Sequence, residues 1–150
     1  MFWSVFDDEK QVAEVKLRHF NEGITGALKR SEATLREQYE KAIRKTKNTL
    51  DYEEALWALA DRHSDQRQLS DIYTRSYLRI MARRKGRAEL DQEKLNQRFH
   101  ALRKQTHGSI VVNFRAGWWG FRENIIRGYV RLKAQEQGIE LGKDHGIIDT

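Results

Sequence analysis

Apolar residues recur every three or four positions along most of this chain, the spacing of a single helix face. In the first half this pattern predicts one helix over 9–28 and a second that starts after Ser31, a residue type that favours helix N-caps. A third helix is predicted from Asp51. The segments 47–49 and 63–68 are polar, and we interpret them as a hinge and a turn.

The second half begins with two more amphipathic segments. One helix is predicted from Leu69 to the basic run 83–87, and another over 91–106 with Asp91 as its N-cap. A last helix is predicted over 123–137, with Gly138 as its C-cap.

The period of the pattern changes between those segments. Residues 110–114 alternate in the manner of a strand. A turn is predicted at Ala116 and Gly117, and a second strand, antiparallel to the first, over 118–121. Helix, helix and hairpin in this order are the layout of a winged helix, a helix-turn-helix variant whose second helix can enter a DNA major groove. The predicted fold class is mainly α with a small β-hairpin: a winged helix-turn-helix preceded by one or two amphipathic helices.

Composition limits the domain count and the class of protein. With 150 residues, the chain has room for one domain and an accessory element. We predict an N-terminal helical element over 1–47, a winged-helix domain over 51–141 and a tail over 142–150. The absence of proline favours long uninterrupted helices.

The absence of cysteine excludes disulfides, thiol catalysis and thiolate metal sites, and fits a cytoplasmic protein. No apolar run approaches the length of a membrane span, and acidic residues follow the apolar 1–3 start at once, so we expect neither membrane insertion nor a signal peptide.

Positive charge is concentrated in one window. The whole chain has a net charge of +6, whereas residues 75–104 contain ten Lys or Arg against three Asp or Glu, a net charge of +7. A basic face of this kind favours the phosphate backbone of duplex DNA as partner.

The predicted helix over 91–106 places Leu95, Phe99 and Leu102 on one face. Its opposite side is polar and basic, with side chains able to contact bases or phosphates. A solvated face of any basic helix has the same composition, so the pattern alone leaves both interpretations open. The candidate nucleic-acid-binding residues of the helix, the basic turn and the hairpin tip are Arg83, Arg84, Lys85, Arg87, Lys94, Gln97, His100, Arg103, Lys104 and Arg115.

The hairpin is rich in aromatic residues, which we expect to serve mainly in packing. If its second strand is regular, one of Trp118 and Trp119 points away from the core. An exposed tryptophan there would indicate a protein partner. The five histidines show no metal-ligand spacing and no triad, so we assign no catalytic residue, no metal and no cofactor, and we expect a non-enzyme.

Several segments together resemble a known family. They are 35–43 with Tyr39, the run 52–60, Ile80 and Met81, 99–102, 107–110, 121–123, and Tyr129 with Val130. This succession resembles the C-terminal part of bacterial AAA+ ATPases of the origin-recognition-like type. The resemblance covers roughly 20–141 and implies a lid helix followed by a DNA-binding winged-helix domain. Relatives often carry proline at the end of the wing, where this chain has 122–124.

The sequence has no phosphate-binding loop. Its one Gly-Lys pair, Gly142 and Lys143, is followed by Asp144 instead of a hydroxyl residue. If the resemblance holds, the chain corresponds to the part beyond the ATPase core and does not hydrolyse ATP alone.

Two functions of different class follow. The first is a DNA-binding winged-helix module, either the C-terminal part or a stand-alone relative of an AAA+ ATPase. The alternative is a protein-interaction or oligomerisation module of such an ATPase, using the aromatic wing and the N-terminal helices. A helical RNA-binding subunit is a third interpretation of the same sequence pattern.

Overall fold

The computed structural model of the protein describes residues 32–142. The helix predicted over 9–28, the N-cap at Ser31 and nearly all of the predicted tail lie outside the described residues. Contacts divide the chain into two units between Arg36 and Glu37, and every contact reported below lies within the second unit.

The described chain is mainly helical and carries a small antiparallel sheet. The sequence pattern predicted a mainly helical chain with a small β element, and this is confirmed. Its helix α3 (69–82) is π-helical over Ile72–Tyr77, between an α-helical turn and a final α-helical segment. The other elements, in chain order, are α1 (32–43), α2 (Thr49–Leu59), β1 (Arg67–Gln68), α4 (Gln92–Leu102), a 3-10 turn (Gln105–His107), β2 (Val111–Arg115), β3 (Trp118–Phe121) and α5 (Asn124–Glu136).

The sheet has three strands in the order β1-β3-β2. Arg67 pairs with Trp119 and Gln68 with Trp118, both antiparallel. The sequence predicted a turn over 63–68, and this prediction was wrong for its last two residues, which form β1. A strand of two residues is too short to show alternation, and its buried member is an arginine, which the apolar pattern does not detect.

The β2–β3 hairpin turns where the sequence predicted. Gly117 has a φ of 78°, a conformation that costs glycine little. The register shifts between Asn113 and Arg115, so Phe114 lies in a bulge and 43% of its surface is exposed. Gly120 is required for a different reason, because a Cβ there would collide with the backbone oxygen of Asp65.

The core is centred on α2, whose residues from Glu54 to Leu59 are all buried. Trp57 is 1% exposed, and its indole Nε1 donates to the Tyr39 hydroxyl of α1 at 3.2 Å. Trp57 is therefore a core residue. On α3, Ile72, Ser76, Tyr77, Ile80 and Met81 are buried, whereas Leu69 and Tyr73 are half-buried.

The ends of two helices test the capping predictions. The Asp91 carboxylate accepts the backbone N–H of Lys94 at 2.8 Å, which confirms the N-cap of α4. That helix ends at Leu102, earlier than predicted, because Lys104 has an extended backbone. Gly138, with a φ of 79°, follows α5 in the left-handed conformation typical of a helix C-terminus.

Candidate nucleic-acid interface

Helix α4 is held on three sides. Its inner face, Leu95, Phe99 and Leu102, is fully buried, as the sequence predicted. On one flank the Asn96 Oδ1 accepts the indole N–H of the buried Trp119 at 3.1 Å. On the other flank the Arg98 guanidinium donates to Asp51 of α2 at 3.0 Å. These contacts fix the rotation of α4, so the side chains that remain exposed are displayed in a defined direction.

The exposed side of α4 carries the residues that the sequence placed there. Glu93, Lys94 and Gln97 are exposed, and Lys104 and Arg103 are exposed just past the end of the helix. We call Glu93, Lys94, Gln97 and Lys104 the outer face of α4. This face combines one amide and two cations with one carboxylate, groups that can contact base edges and phosphates.

His100 differs from its neighbours on that side. Its ring lies edge-on against Trp119, with 4.8 Å between the ring centroids, and the side chain is half-buried. Burial lowers the pKa of His100, and the charges of Arg103 and Lys104 lower it further. In the free protein these effects favour the neutral form of the imidazole.

The basic turn after α3 contains two kinds of arginine. Glu54 is 0% exposed, and its carboxylate accepts Arg84 Nε at 2.6 Å and Arg87 Nε at 2.9 Å. Arg87 also donates to Asp51 at 2.8 Å, and the hydrogen bond with Glu54 is the largest cause of its raised pKa. We call Asp51, Glu54, Arg84, Arg87 and Arg98 the Glu54 cluster.

The Glu54 cluster includes two of the candidate nucleic-acid-binding residues. The sequence grouped Arg84 and Arg87 with Arg83 as candidates of one kind, and the structure shows that the guanidinium groups of Arg84 and Arg87 neutralise a buried carboxylate. By contrast, Arg83 and Lys85 are exposed, and among residues 32–142 neither forms an ion pair within 4 Å. The available signal was that α2 is apolar all round its second half, which places Glu54 inside.

The hairpin tip presents one cation. The Arg115 guanidinium lies over the Trp118 ring, 4.4 Å from its centroid, and Arg115 is exposed. Trp119 is fully buried, whereas Trp118 is half-buried, so the prediction that one of the pair turns away from the core is confirmed.

A second set of buried polar side chains surrounds Arg67, which the apolar pattern of the sequence did not indicate. Arg67 donates to the Ala58 carbonyl at 2.8 Å and to Ser76 Oγ at 2.9 Å, and Ser76 Oγ donates to Asp61 at 2.8 Å. Asp61 also accepts Arg79 and the backbone N–H of Gly142. We call Asp61, Arg67, Ser76 and Arg79 the Asp61 cluster. Its hydrogen bonds join α2, β1, α3 and the end of the described chain.

The pKa of Asp61 is shifted by its contacts in the Asp61 cluster. Burial raises the pKa of Asp61, but the hydrogen bonds from Gly142 and Ser76 and the charge of Arg79 outweigh burial and hold it below its usual value. The carboxylate is therefore ionised and fully engaged at neutral pH, as expected of a structural group.

Within 32–142, no group of three or more His, Asp or Glu side chains is arranged to hold a metal ion. No helix in the same range combines the length and apolar content that crossing a bilayer requires.

Comparisons with protein-family models, with curated proteins and with solved structures gave no match. The interpretation of this surface therefore rests on the contacts of this chain, and the resemblance to origin-recognition-like ATPases stays a prediction.

Proposed function

We propose that this protein is a DNA-binding winged-helix module in which α4 is the recognition helix and the β2–β3 hairpin is the wing. The observation that carries the proposal is the connectivity α2-β1-α3-α4-β2-β3, with β1 paired back onto β3. That arrangement packs two helices against a small sheet and leaves one face of the second helix beside a hairpin, which suits insertion into a major groove.

The state of the cations supports the same proposal. Six of the ten candidate residues are exposed Lys or Arg that form no ion pair with a carboxylate within the described chain. They are Arg83, Lys85, Lys94, Arg103, Lys104 and Arg115. Unpaired surface cations release counterions when they meet phosphates, and this supplies most of the free energy of non-specific DNA binding.

The resemblance in the sequence supports a further step. In this proposal the module directs an AAA+ ATPase core onto duplex DNA and performs no catalysis of its own. Co-sedimentation of a purified ATPase core of that type with this chain tests the step, and separate sedimentation of the two would contradict it.

The outer face of α4 provides the test of DNA binding. We expect Lys94→Ala to weaken binding to duplexes of different sequence equally and to lower the salt slope of the affinity by about one. Arg75→Ala is the matched control, because it removes the same charge from a side chain already beside Asp71 at 3.6 Å. Equal affinities for Lys94→Ala, Arg75→Ala and the wild type would refute the assignment of α4.

One observation favours the alternative function, an interaction module. Phe114 on the hairpin and Ile125 and Leu132 on α5 are large apolar side chains with 43%, 52% and 44% of their surface exposed. Ile125 and Leu132 are seven residues apart and share a helix face. Sedimentation of the wild type decides the point: a stable dimer that Leu132→Ser dissociates would support the alternative.

A further inference from the structure

The loop that follows α4 is surrounded by cations from three separate parts of the chain. Lys45 of the segment after α1 donates its ammonium to the Thr106 carbonyl at 2.5 Å. The side chain of Lys41, one turn earlier, lies beside Gly108, with its Cδ 3.7 Å from the position a Cβ would take there. These contacts bring the end of α1 against a loop about sixty residues away in sequence.

Two further cationic residues, Lys104 and Arg122, belong to or contact the same loop. Lys104 begins the loop, and its carbonyl accepts the backbone N–H of Ser109 at 3.0 Å. The Ser109 carbonyl in turn accepts Arg122 Nε, at the end of β3, at 2.6 Å. Lys41, Lys45, Lys104 and Arg122 therefore border one loop, and we call them the 104–109 surface.

The charge of this surface is not neutralised by nearby carboxylates. Within the part of the chain that the structure describes, none of its four cations forms an ion pair within 4 Å, and three of the four are exposed. The segment 41–47 contains four Lys or Arg and no acid. The charges of Lys45 and Lys104 also help to lower the pKa of His107, which burial lowers first, so a positive field is present at the loop.

We propose that the 104–109 surface is a second phosphate-binding site, which holds the backbone of the same DNA duplex that the outer face of α4 contacts. Lys104 belongs to both surfaces, so the two are continuous. The proposal rests on the proposed function and adds to it: Lys41, Lys45 and Arg122 are assigned to DNA binding although they lie outside the charged window of the sequence. Phosphate contacts of this kind position a protein on DNA and carry no sequence information.

The test measures affinity for a duplex of mixed sequence as a function of salt. We expect Lys41→Gln combined with Lys45→Gln to reduce the salt slope by about two and to weaken binding equally for unrelated duplexes. Arg75→Gln combined with Lys133→Gln is the control, because it removes the same charge from side chains beside Asp71 and Glu136. The control variant should keep the slope of the wild type.

The outcomes separate this proposal from the proposed function. A normal slope for the Lys41 and Lys45 variant, with a reduced slope for Lys94→Ala, overturns the second site and leaves α4 assigned. The reverse pattern supports the second site and contradicts the role of α4. No duplex binding by the wild type at low salt overturns both. Since Lys45 also bonds Thr106, Lys41→Gln alone is measured too, with a slope lower by about one expected and an unchanged slope contradicting the site.

Discussion

Arg83 and Arg87 stand four residues apart in one basic run and have different roles. Arg87 is bonded to the buried Glu54 and to Asp51, whereas Arg83 is exposed and forms no ion pair with any described residue. Composition shows both as surface charge, because the distinction depends on a carboxylate some thirty residues earlier.

Core residues such as Trp57 and Phe99 were predictable because their apolar spacing is a local property. The partners of Glu54 and Arg67 were not predictable, because they lie in other segments of the chain and meet these residues only in the folded chain.

The difference between Arg83 and Arg87 predicts unequal effects of two matched substitutions. Arg87→Ala should lower the free energy of unfolding by about 2–3 kcal/mol, because it leaves the buried Glu54 with one partner. Arg83→Ala should change it by less than about 0.5 kcal/mol. Urea unfolding of both variants measures the difference, and equal losses would contradict the role of the Glu54 cluster.

The burial of Trp57 allows a second prediction at this scale. Trp57→Ala removes a large side chain from the centre of α2 and a hydrogen bond to Tyr39, so we expect a loss of about 3–5 kcal/mol. Thermal melts provide the measurement, and Trp118→Ala, at a half-buried tryptophan of β3, is the control. A loss below about 1 kcal/mol for Trp57→Ala would move α2 out of the core.

At the scale of elements, strong periodicity gave the right answer and short irregular segments did not. Helix α4 has a one-sided apolar face and its Asp91 cap, and the β2–β3 hairpin has its turn at Gly117, whereas α2 has a broad apolar face and no side-chain cap. Strand β1 and the π-helical part of α3 were missed, since the first has two residues and the second keeps a helix-like spacing. Both are stabilised by the Asp61 cluster, a contact between elements.

Because of the Asp61 cluster, the free energy of unfolding is expected to fall at acid pH. The pKa of Asp61 is lower in the folded protein than in the unfolded chain, so its contribution is complete above the ordinary aspartate pKa of about 4 and is lost as the pH falls through the folded value. The gap in unfolding free energy between the wild type and Asp61→Asn should therefore narrow on acidification. Asp65→Asn, at an exposed carboxylate, is the control. A gap that is constant with pH would contradict the shift.

Across the whole molecule, the fold separates arginines that are paired with carboxylates from cations that stay exposed and unpaired within residues 32–142. The arginines of the Glu54 and Asp61 clusters turn inward, while unpaired cations remain on the outer face of α4, at the hairpin tip and around the loop 104–109. The sequence located the charged window correctly but could not show which of its members are neutralised. Nor could it join the end of α1 to that window, because the two meet only in the folded chain.

DNA binding is tested most directly by the affinity of the wild type for duplex DNA, measured against salt concentration. With four to six phosphate contacts, the affinity should fall by about two to three decades between roughly 50 and 200 mM salt. Fluorescence anisotropy of a labelled duplex gives this slope. Binding that does not change with salt, or no binding at the lowest salt, would contradict the account of this protein as a DNA-binding module.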